Sequence, residues 1–159
     1  MTGSSAAPAA AAAVSALQAA LAAEHAAIYG YGVVGAHLTG VALTAATGDW
    51  VAHQIARDSL EALLRSMSTQ PVAAAVAYRL PHPVHSSAAA TSLAVILEDR
   101  VTTAYLGLVA VTGRRIREFG AQEVVAAAKR AAAWRGRTVA FPGVPASALS
   151  LRSASRSGR

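Results

Sequence analysis

The sequence predicts an all-α protein folded as a four-helix bundle, and three observations support that prediction. Alanine, which has the strongest helix propensity, accounts for 42 of the 159 residues, whereas only 5% are aromatic. Apolar residues recur at alternating spacings of three and four, which places them along one face of a helix. No segment of the sequence alternates apolar and polar residues with the period of two that is typical of a strand. The length favours a single domain.

The first two helices are expected over residues 12–46 and 50–68. Gly48 is predicted to end the first helix, because glycine readily adopts the left-handed conformation that follows many helices. Asp49 is predicted to cap the second helix by accepting a hydrogen bond from a free amide. The short turn between the helices indicates an antiparallel hairpin.

A long connection over residues 69–85 is expected to follow the first hairpin. A short helix is predicted inside it, over residues 71–78. Residues that precede proline avoid the α conformation, so the stretch 80–84 is expected to be extended. Three prolines interrupt the connection: Pro71, Pro81 and Pro83.

The third helix is predicted to begin after a cap at Ser86 or Ser87 and to continue to Val111. The fourth helix is predicted to follow Gly113 and to end before Gly136. The result is two antiparallel hairpins joined by a long crossover, which is the topology of a ferritin-like four-helix bundle. An up-down-up-down bundle with short loops is the alternative, but it does not need so long a link.

We expect residues 1–11 to be a flexible N-terminus, residues 12–143 to form the bundle and residues 144–159 to be a disordered basic tail. The net charge is +6, and four arginines with no acid lie in residues 137–159. The high isoelectric point is therefore an effect of the tail. Basic and aromatic residues do not alternate in the way that stacks nucleotide bases, so we predict no nucleic-acid partner.

The chain has no cysteine, which excludes disulfides and thiolate metal sites. No basic region precedes the alanines of Met1–Ala13, so we predict a cytoplasmic protein without a secretory signal. The 21 residues of segment 26–46 carry no Asp, Glu, Lys or Arg and are long enough to span a bilayer. Their tyrosines, threonines and glycines favour a buried bundle helix, and a membrane role is left as a weaker alternative.

Glu24 interrupts an apolar stripe of the first predicted helix. A carboxylate at such a position costs several kcal/mol unless a cation, a donor or a metal lies opposite it. Glu98 occupies the same kind of position on the third helix. Both glutamates have a tyrosine seven residues later, Tyr31 and Tyr105. This repeated Glu–Tyr spacing of seven residues is the most specific pattern in the sequence.

One interpretation of the pattern is a metal site for iron or manganese, with Glu24, His53 and Glu98 as ligands. Asp58 and Glu61 are second-tier candidates. Di-metal four-helix proteins use a glutamate from each of two helices and a Glu-x-x-His pair from each of the others. The second and fourth predicted helices lack that pair, which weakens the interpretation.

The interpretation that we favour is a polar core without any cofactor. A guanidinium can bridge two carboxylates with its fork of donors, and Arg57 on the second helix is the predicted cation. Such a network stabilises one helix register more than it stabilises the fold. Its predicted members are Glu24, Tyr31, His53, Arg57, Glu98 and Tyr105.

No catalytic triad, phosphate loop or nucleotide-binding motif is present in the sequence. We therefore predict a structural or interaction protein with no catalytic residues, and leave open a metal-dependent redox protein. The helix faces rich in alanine and glycine are predicted to form a homodimer. A membrane partner is not expected.

Five segments carry a family resemblance: LQAALAAEHAAIYGYGVVG (17–35), HQIARD (53–58), AYRLPHPV (77–84), LED (97–99) and AAAWRG…FPG (131–143). Together they resemble a ferritin-like domain family of unknown function found in actinobacteria. The resemblance extends over about residues 14–143. It implies a ferritin-like bundle and an actinobacterial source, but it transfers a fold and not an activity. Ferritins store and oxidise iron, and this chain departs from their ligand pattern on the second and fourth helices.

Overall fold

A computed structural model describes residues 6–144, and these residues form four α-helices and no strand. The predicted all-α four-helix architecture is confirmed. Residues 145–159, almost all of the predicted basic tail, lie outside the described residues, as do residues 1–5. The helices are α1 (Ala6–Ala36), α2 (Gly40–Ser66), α3 (Ser87–Val109) and α4 (Arg114–Arg135).

The turn between α1 and α2 lies earlier in the chain than predicted. Thr39 is extended and Gly40 adopts φ +57°, a conformation that costs a glycine little. Gly48 and Asp49, predicted as the stop and the cap, lie inside α2. The prediction was wrong because the apolar stripe continues past the turn to Ala42. At the other end, residues 6–11 are part of α1 and do not form a separate terminal segment.

The caps of the second hairpin agree with the sequence prediction. The backbone N–H of Ala89 donates to Ser86 Oγ at 3.2 Å, so Ser86 caps α3. Gly136 ends α4 with φ +72° in the left-handed region. Both signals are local, which explains why the sequence alone was enough to predict them.

The crossover contains no helix, so the predicted short helix over residues 71–78 is wrong. Gln18 of α1 binds the crossover backbone twice: its Nε2 donates to the Gln70 carbonyl at 2.7 Å, and its Oε1 accepts from the Val72 N–H at 2.8 Å. His25 Nε2 donates to the Val72 carbonyl at 3.1 Å. The backbone groups of Val72 thus bond to α1 side chains instead of to a helical turn.

Pairs of side chains define the helix directions. Glu24 lies near His53 and Tyr105, whereas Tyr31, seven residues later, lies near Asp49 and Glu98. The helix α1 is therefore antiparallel to both α2 and α3, and α2 runs parallel to α3. The remaining pair is also antiparallel, since α3 and α4 meet through Glu98 with Arg130 and through Tyr105 with Phe119. This topology of two hairpins and a crossover is the predicted one.

The core consists of two apolar clusters with a polar layer between them. One cluster surrounds Leu17, Leu60 and Leu108, and the other surrounds Val34 and Leu93. Glu24, His53 and Glu98 have no solvent exposure.

One described helix segment, Ala7–Ala36, is long and apolar enough to cross a membrane by length and composition, and soluble core helices often meet the same criterion. The segment 26–46 that the sequence singled out is interrupted by the turn at residues 37–39.

Candidate functional site

Three helices bring Glu24, His53 and Glu98 together in the centre of the bundle. His53 Nδ1 lies 2.7 Å from Glu24 Oε2, and His53 Nε2 lies 3.0 Å from Glu98 Oε1. The imidazole therefore bridges the two carboxylates, with one ring nitrogen for each. The three side chains that the sequence proposed as metal ligands do meet, but they bind one another.

Tyr31 and Tyr105 complete the arrangement in a reciprocal way. The hydroxyl of Tyr31 on α1 donates to Glu98 Oε1 on α3 at 2.6 Å. The hydroxyl of Tyr105 on α3 donates to Glu24 Oε1 on α1 at 2.7 Å. Each helix thus supplies a glutamate to the cluster and a tyrosine to the other helix's glutamate. The repeated Glu–Tyr spacing in the sequence corresponds to this approximate two-fold arrangement about His53.

The arginine of the cluster is Arg130, from α4, and not Arg57. Arg130 Nε donates to both oxygens of Glu98 at 3.0 Å. Arg57 of α2 instead forms a half-exposed ion pair with its neighbour Asp58, whose side chain is 66% exposed. The prediction of Arg57 was wrong because the buried face of α2 runs through His53, Ala56 and Leu60, which leaves Arg57 at the edge of that face.

Two acidic residues that the sequence analysis missed lie at the edge of the cluster. Asp49 Oδ2 accepts from Trp134 Nε1 at 2.8 Å and from the Tyr31 hydroxyl at 3.3 Å. Burial raises the pKa of Asp49 above its usual value, and the hydrogen bond from Trp134 opposes that change. Burial and the charge of Glu24 both raise the pKa of Glu123.

The electrostatics of the cluster keep His53 charged. Burial alone would lower the pKa of His53, but the hydrogen bonds and charges of Glu24 and Glu98 outweigh burial and raise it to about 9. At neutral pH both ring nitrogens therefore carry protons and donate. Burial, followed by the neighbouring glutamate charges, raises the pKa of Tyr31 and Tyr105 far above the usual value, so both phenols stay protonated. Burial would lower the pKa of Arg130, whereas Glu98 raises it.

The sequence contained a signal for the missed residues of α4. Five of its residues recur at alternating spacings of three and four, the same spacing as the stripe on α1. The signal is weak because small residues replace the leucines that mark α1. The five are Gly120, Glu123, Ala127, Arg130 and Trp134.

Ferritins hold iron, and the donor chemistry of this cluster does not fit a metal ion. All four oxygens of Glu24 and Glu98 accept hydrogen bonds within the cluster. A protonated imidazole and a guanidinium have no lone pair to offer. Among residues 6–144, no group of three or more His, Asp or Glu side chains is arranged to hold a metal ion.

The second-tier ligand candidates do not join the cluster. Asp58 pairs with Arg57, and Glu61 Oε2 accepts from Arg65 at 2.7 Å one turn along α2. Both carboxylates thus have cationic partners on their own helix. Such ion pairs at the surface contribute little to stability.

Fold and site together define a class of protein: a four-helix bundle whose core carries two carboxylates neutralised by an imidazolium and a guanidinium. Residues 16–146 match the family model of a domain of unknown function, DUF4439. The chain belongs to this family. Its biochemical function is unknown, and nothing in the site or in the comparisons supports a metal-binding protein.

A solved structure of a relative has the same fold. The crystal structure of a conserved hypothetical protein from Mycobacterium tuberculosis superimposes with a TM-score of 0.77 at 32% identity. The match covers 79% of this chain and 96% of the mycobacterial chain. Among curated proteins, none matches this chain at a significant level.

Proposed function

We propose that this protein is a ferritin-like bundle that needs no resident metal and serves as a structural or interaction protein. The ferritin-like assignment is supported by the antiparallel hairpins α1–α2 and α3–α4 and by the long crossover between the parallel helices α2 and α3. The relative from Mycobacterium, an actinobacterium, supports an actinobacterial source.

A single observation carries the proposal: cations lie where a metal would neutralise the glutamates. His53 bridges Glu24 and Glu98, and Arg130 binds the second of them. The two fully buried carboxylates are thus balanced by the two cations. Networks of this kind favour one helix register over others. The site is thus suited to holding the four helices in a defined arrangement.

The proposal includes a cytoplasmic location, a homodimeric state and a role without nucleic acid or membrane. The apolar stripe of α1 supports a role away from a bilayer, because Leu17 and Leu21 pack inside the bundle. The absence of cysteine is compatible with a reducing compartment. The proposal assigns no catalytic residue.

Elemental analysis of protein purified without chelator tests the proposal. The expected result is iron and manganese far below one equivalent per chain, both in the parent and in Glu24→Gln and Glu98→Gln variants. A stoichiometric metal content in the parent that is lost in both variants would contradict the proposal and favour the metal-dependent redox alternative. An Asp58→Asn variant is the matched control, because it removes a carboxylate outside the cluster.

A further inference from the structure

A pocket lies between α3 and the segment that follows α4. Its volume is about 500 Å³, which is within the range of pockets that bind small molecules. Its lining includes Ile96 and Arg100 of α3, Arg135 at the end of α4, and residues of the segment 139–144. We call it the C-terminal pocket. It shares no residue with the buried polar cluster, so it is a separate feature of the molecule.

A tight turn forms one wall of the C-terminal pocket. The Val144 N–H donates to the Phe141 carbonyl at 3.2 Å, with Pro142 and Gly143 at the two central positions. Proline followed by a residue with positive φ is the signature of a type II turn, and Gly143 adopts φ +73°. The turn therefore has the residues that its geometry requires.

Gly143 also fixes the position of this turn against α3. The Thr103 hydroxyl of α3 donates to the Gly143 carbonyl. A Cβ on Gly143 would lie 2.7 Å from Thr102 Cγ2 and 2.9 Å from the Thr103 nitrogen, so only glycine allows this approach. The wall of the pocket is thus held in place by specific contacts with α3.

The charges of the C-terminal pocket leave one cation without a partner. Arg135 Nη2 donates to both carboxylate oxygens of Asp99, at 2.8 Å and 2.6 Å, so these two charges balance. Asp99 is the only acidic residue in the lining. Arg100 is exposed, and its side chain has neither an ion pair nor a hydrogen bond with any residue in the range 6–144. Its charge is therefore available to a ligand.

Much of the remaining lining is apolar. Five of the ten lining residues have apolar side chains, and Phe141 is the largest of them. The Phe141 side chain is 59% exposed, so a ligand can contact its ring. A largely apolar lining with a small number of polar groups is usual for a small-molecule site. The five are Ile96, Val139, Ala140, Phe141 and Val144.

We infer that the C-terminal pocket binds a small organic carboxylate whose apolar body lies against Phe141 and whose carboxylate binds Arg100. A guanidinium matches a carboxylate in geometry, because two N–H donors can meet its two oxygens. A cationic ligand would be repelled by Arg100, and a neutral ligand would gain no ion pair there. A multiply charged anion would lose hydration against an apolar lining with one available cation. This binding role goes beyond the structural role proposed above and does not depend on it.

Calorimetric titration of the full chain with octanoate tests the inference. The expected dissociation constant is below about 1 mM. Octan-1-ol has the same apolar chain without the charge, and acetate has the charge without the chain. Both should bind at least roughly fivefold more weakly than octanoate. In NMR spectra of the backbone amides, the shifts caused by octanoate should be concentrated in residues 96–103 and 139–144.

Two variants separate the contributions of the charge and the apolar wall. Arg100→Met should weaken octanoate binding roughly fivefold and leave the binding of octan-1-ol unchanged. Phe141→Ser should weaken octanoate binding and leave that of acetate unchanged. Arg114→Met is the matched control, because it removes an arginine that is 85% exposed at the opposite end of α4. It lowers the net charge equally and should bind octanoate as the parent does.

Three results would overturn the inference. One is the absence of octanoate binding to the full chain at about 10 mM. Another is a parent protein that binds octan-1-ol as tightly as octanoate, which would make the pocket an apolar site without selection for an anion. The third is an Arg100→Met variant that retains the parent's affinity for octanoate. Arg100 is exposed, so this variant should fold and its affinity can be measured.

Discussion

Arg130 joins α4 to the centre of the bundle by donating its Nε proton to both oxygens of Glu98, 3.0 Å from each. The Glu98 side chain has no solvent exposure, and that of Arg130 is only 16% exposed. Removing two ions from water is costly, and their attraction offsets the cost only while both are present. Removing one partner alone should therefore lower the free energy of unfolding by much more than the intact pair contributes to it.

Arg130→Met should lower the free energy of unfolding by roughly 3–5 kcal/mol, because it leaves Glu98 with a buried and incompletely compensated charge. Arg57→Met should lower it by less than about 1 kcal/mol, because the Arg57–Asp58 pair is screened by water. Urea denaturation monitored by far-UV circular dichroism measures both. Equal losses in the two variants would contradict the placement of Arg130 in the cluster.

The two tyrosines should differ in their contributions. Tyr105 is the only described hydrogen-bond donor to Glu24 Oε1, whereas Glu98 Oε1 also accepts from His53 and Arg130. Tyr105→Phe should therefore cost about 2–3 kcal/mol and Tyr31→Phe about 1 kcal/mol, since an unsatisfied buried acceptor costs more than a lost net bond. Urea denaturation of the two variants gives the order, and the reverse order would refute this account.

His53 should make stability depend on pH. Its pKa is raised from 6.5 to about 9, so the folded protein retains a proton that the unfolded chain releases between these values. The stabilisation is complete below pH 6.5 and is lost as the pH rises through about 9. A shift of this size corresponds to roughly 3 kcal/mol. The free energy of unfolding should fall over this range.

His53→Gln separates this effect from other titrations. Glutamine keeps a polar side chain at the position but cannot bind the proton, so the variant should be less stable and should lose most of the slope between pH 6.5 and 9. The other four of the chain's five histidines remain in place as an internal control. A variant that keeps the parent's slope would assign the titration to another group.

Two glycines in the second hairpin should respond in opposite ways to alanine. A Cβ on Gly120 would lie 2.6 Å from Leu108 Cβ and 3.3 Å from the Tyr105 carbonyl oxygen, so α3 and α4 would have to separate. Gly120→Ala should therefore cost about 1–3 kcal/mol. A Cβ on Gly107 meets no atom within 4 Å, and Gly107→Ala should stabilise α3 by about 0.5–1 kcal/mol. Thermal melting of both variants tests the helix contact.

The fold was predictable because its signals are local and repeated. Alanine content and stripe spacing indicate helices, and Ser86 and Gly136 mark two of their ends. The turn at Gly40 was missed because the residues on both sides keep the same apolar spacing. The turn comprises residues 37–39 and Gly40 at φ +57°, whereas Gly48, the predicted end of the first helix, lies within α2.

The site was only partly predictable, and the reason lies in the helix faces. Five of the six proposed network residues meet, because Glu24 and Glu98 stand out against leucine-rich stripes and His53 and the tyrosines share their faces. Arg130 lies between Lys129 and Ala131 on a helix with four other arginines, Arg114, Arg115, Arg117 and Arg135. Composition does not distinguish a buried arginine from exposed ones there. Only the three-dimensional pairing of α3 with α4 does.

The reciprocal tyrosine bonds have a consequence for the order of folding. Each hairpin contains its own ion pair, Glu24 with His53 and Glu98 with Arg130. Each hairpin can therefore fold without leaving a buried charge unpaired. Helical hairpins are rich in local contacts and form fast. The tyrosine hydroxyls connect residues 67 and 81 positions apart, so their bonds form only when the hairpins dock. In stopped-flow experiments, Tyr→Phe variants should accelerate unfolding while leaving the refolding rate nearly unchanged.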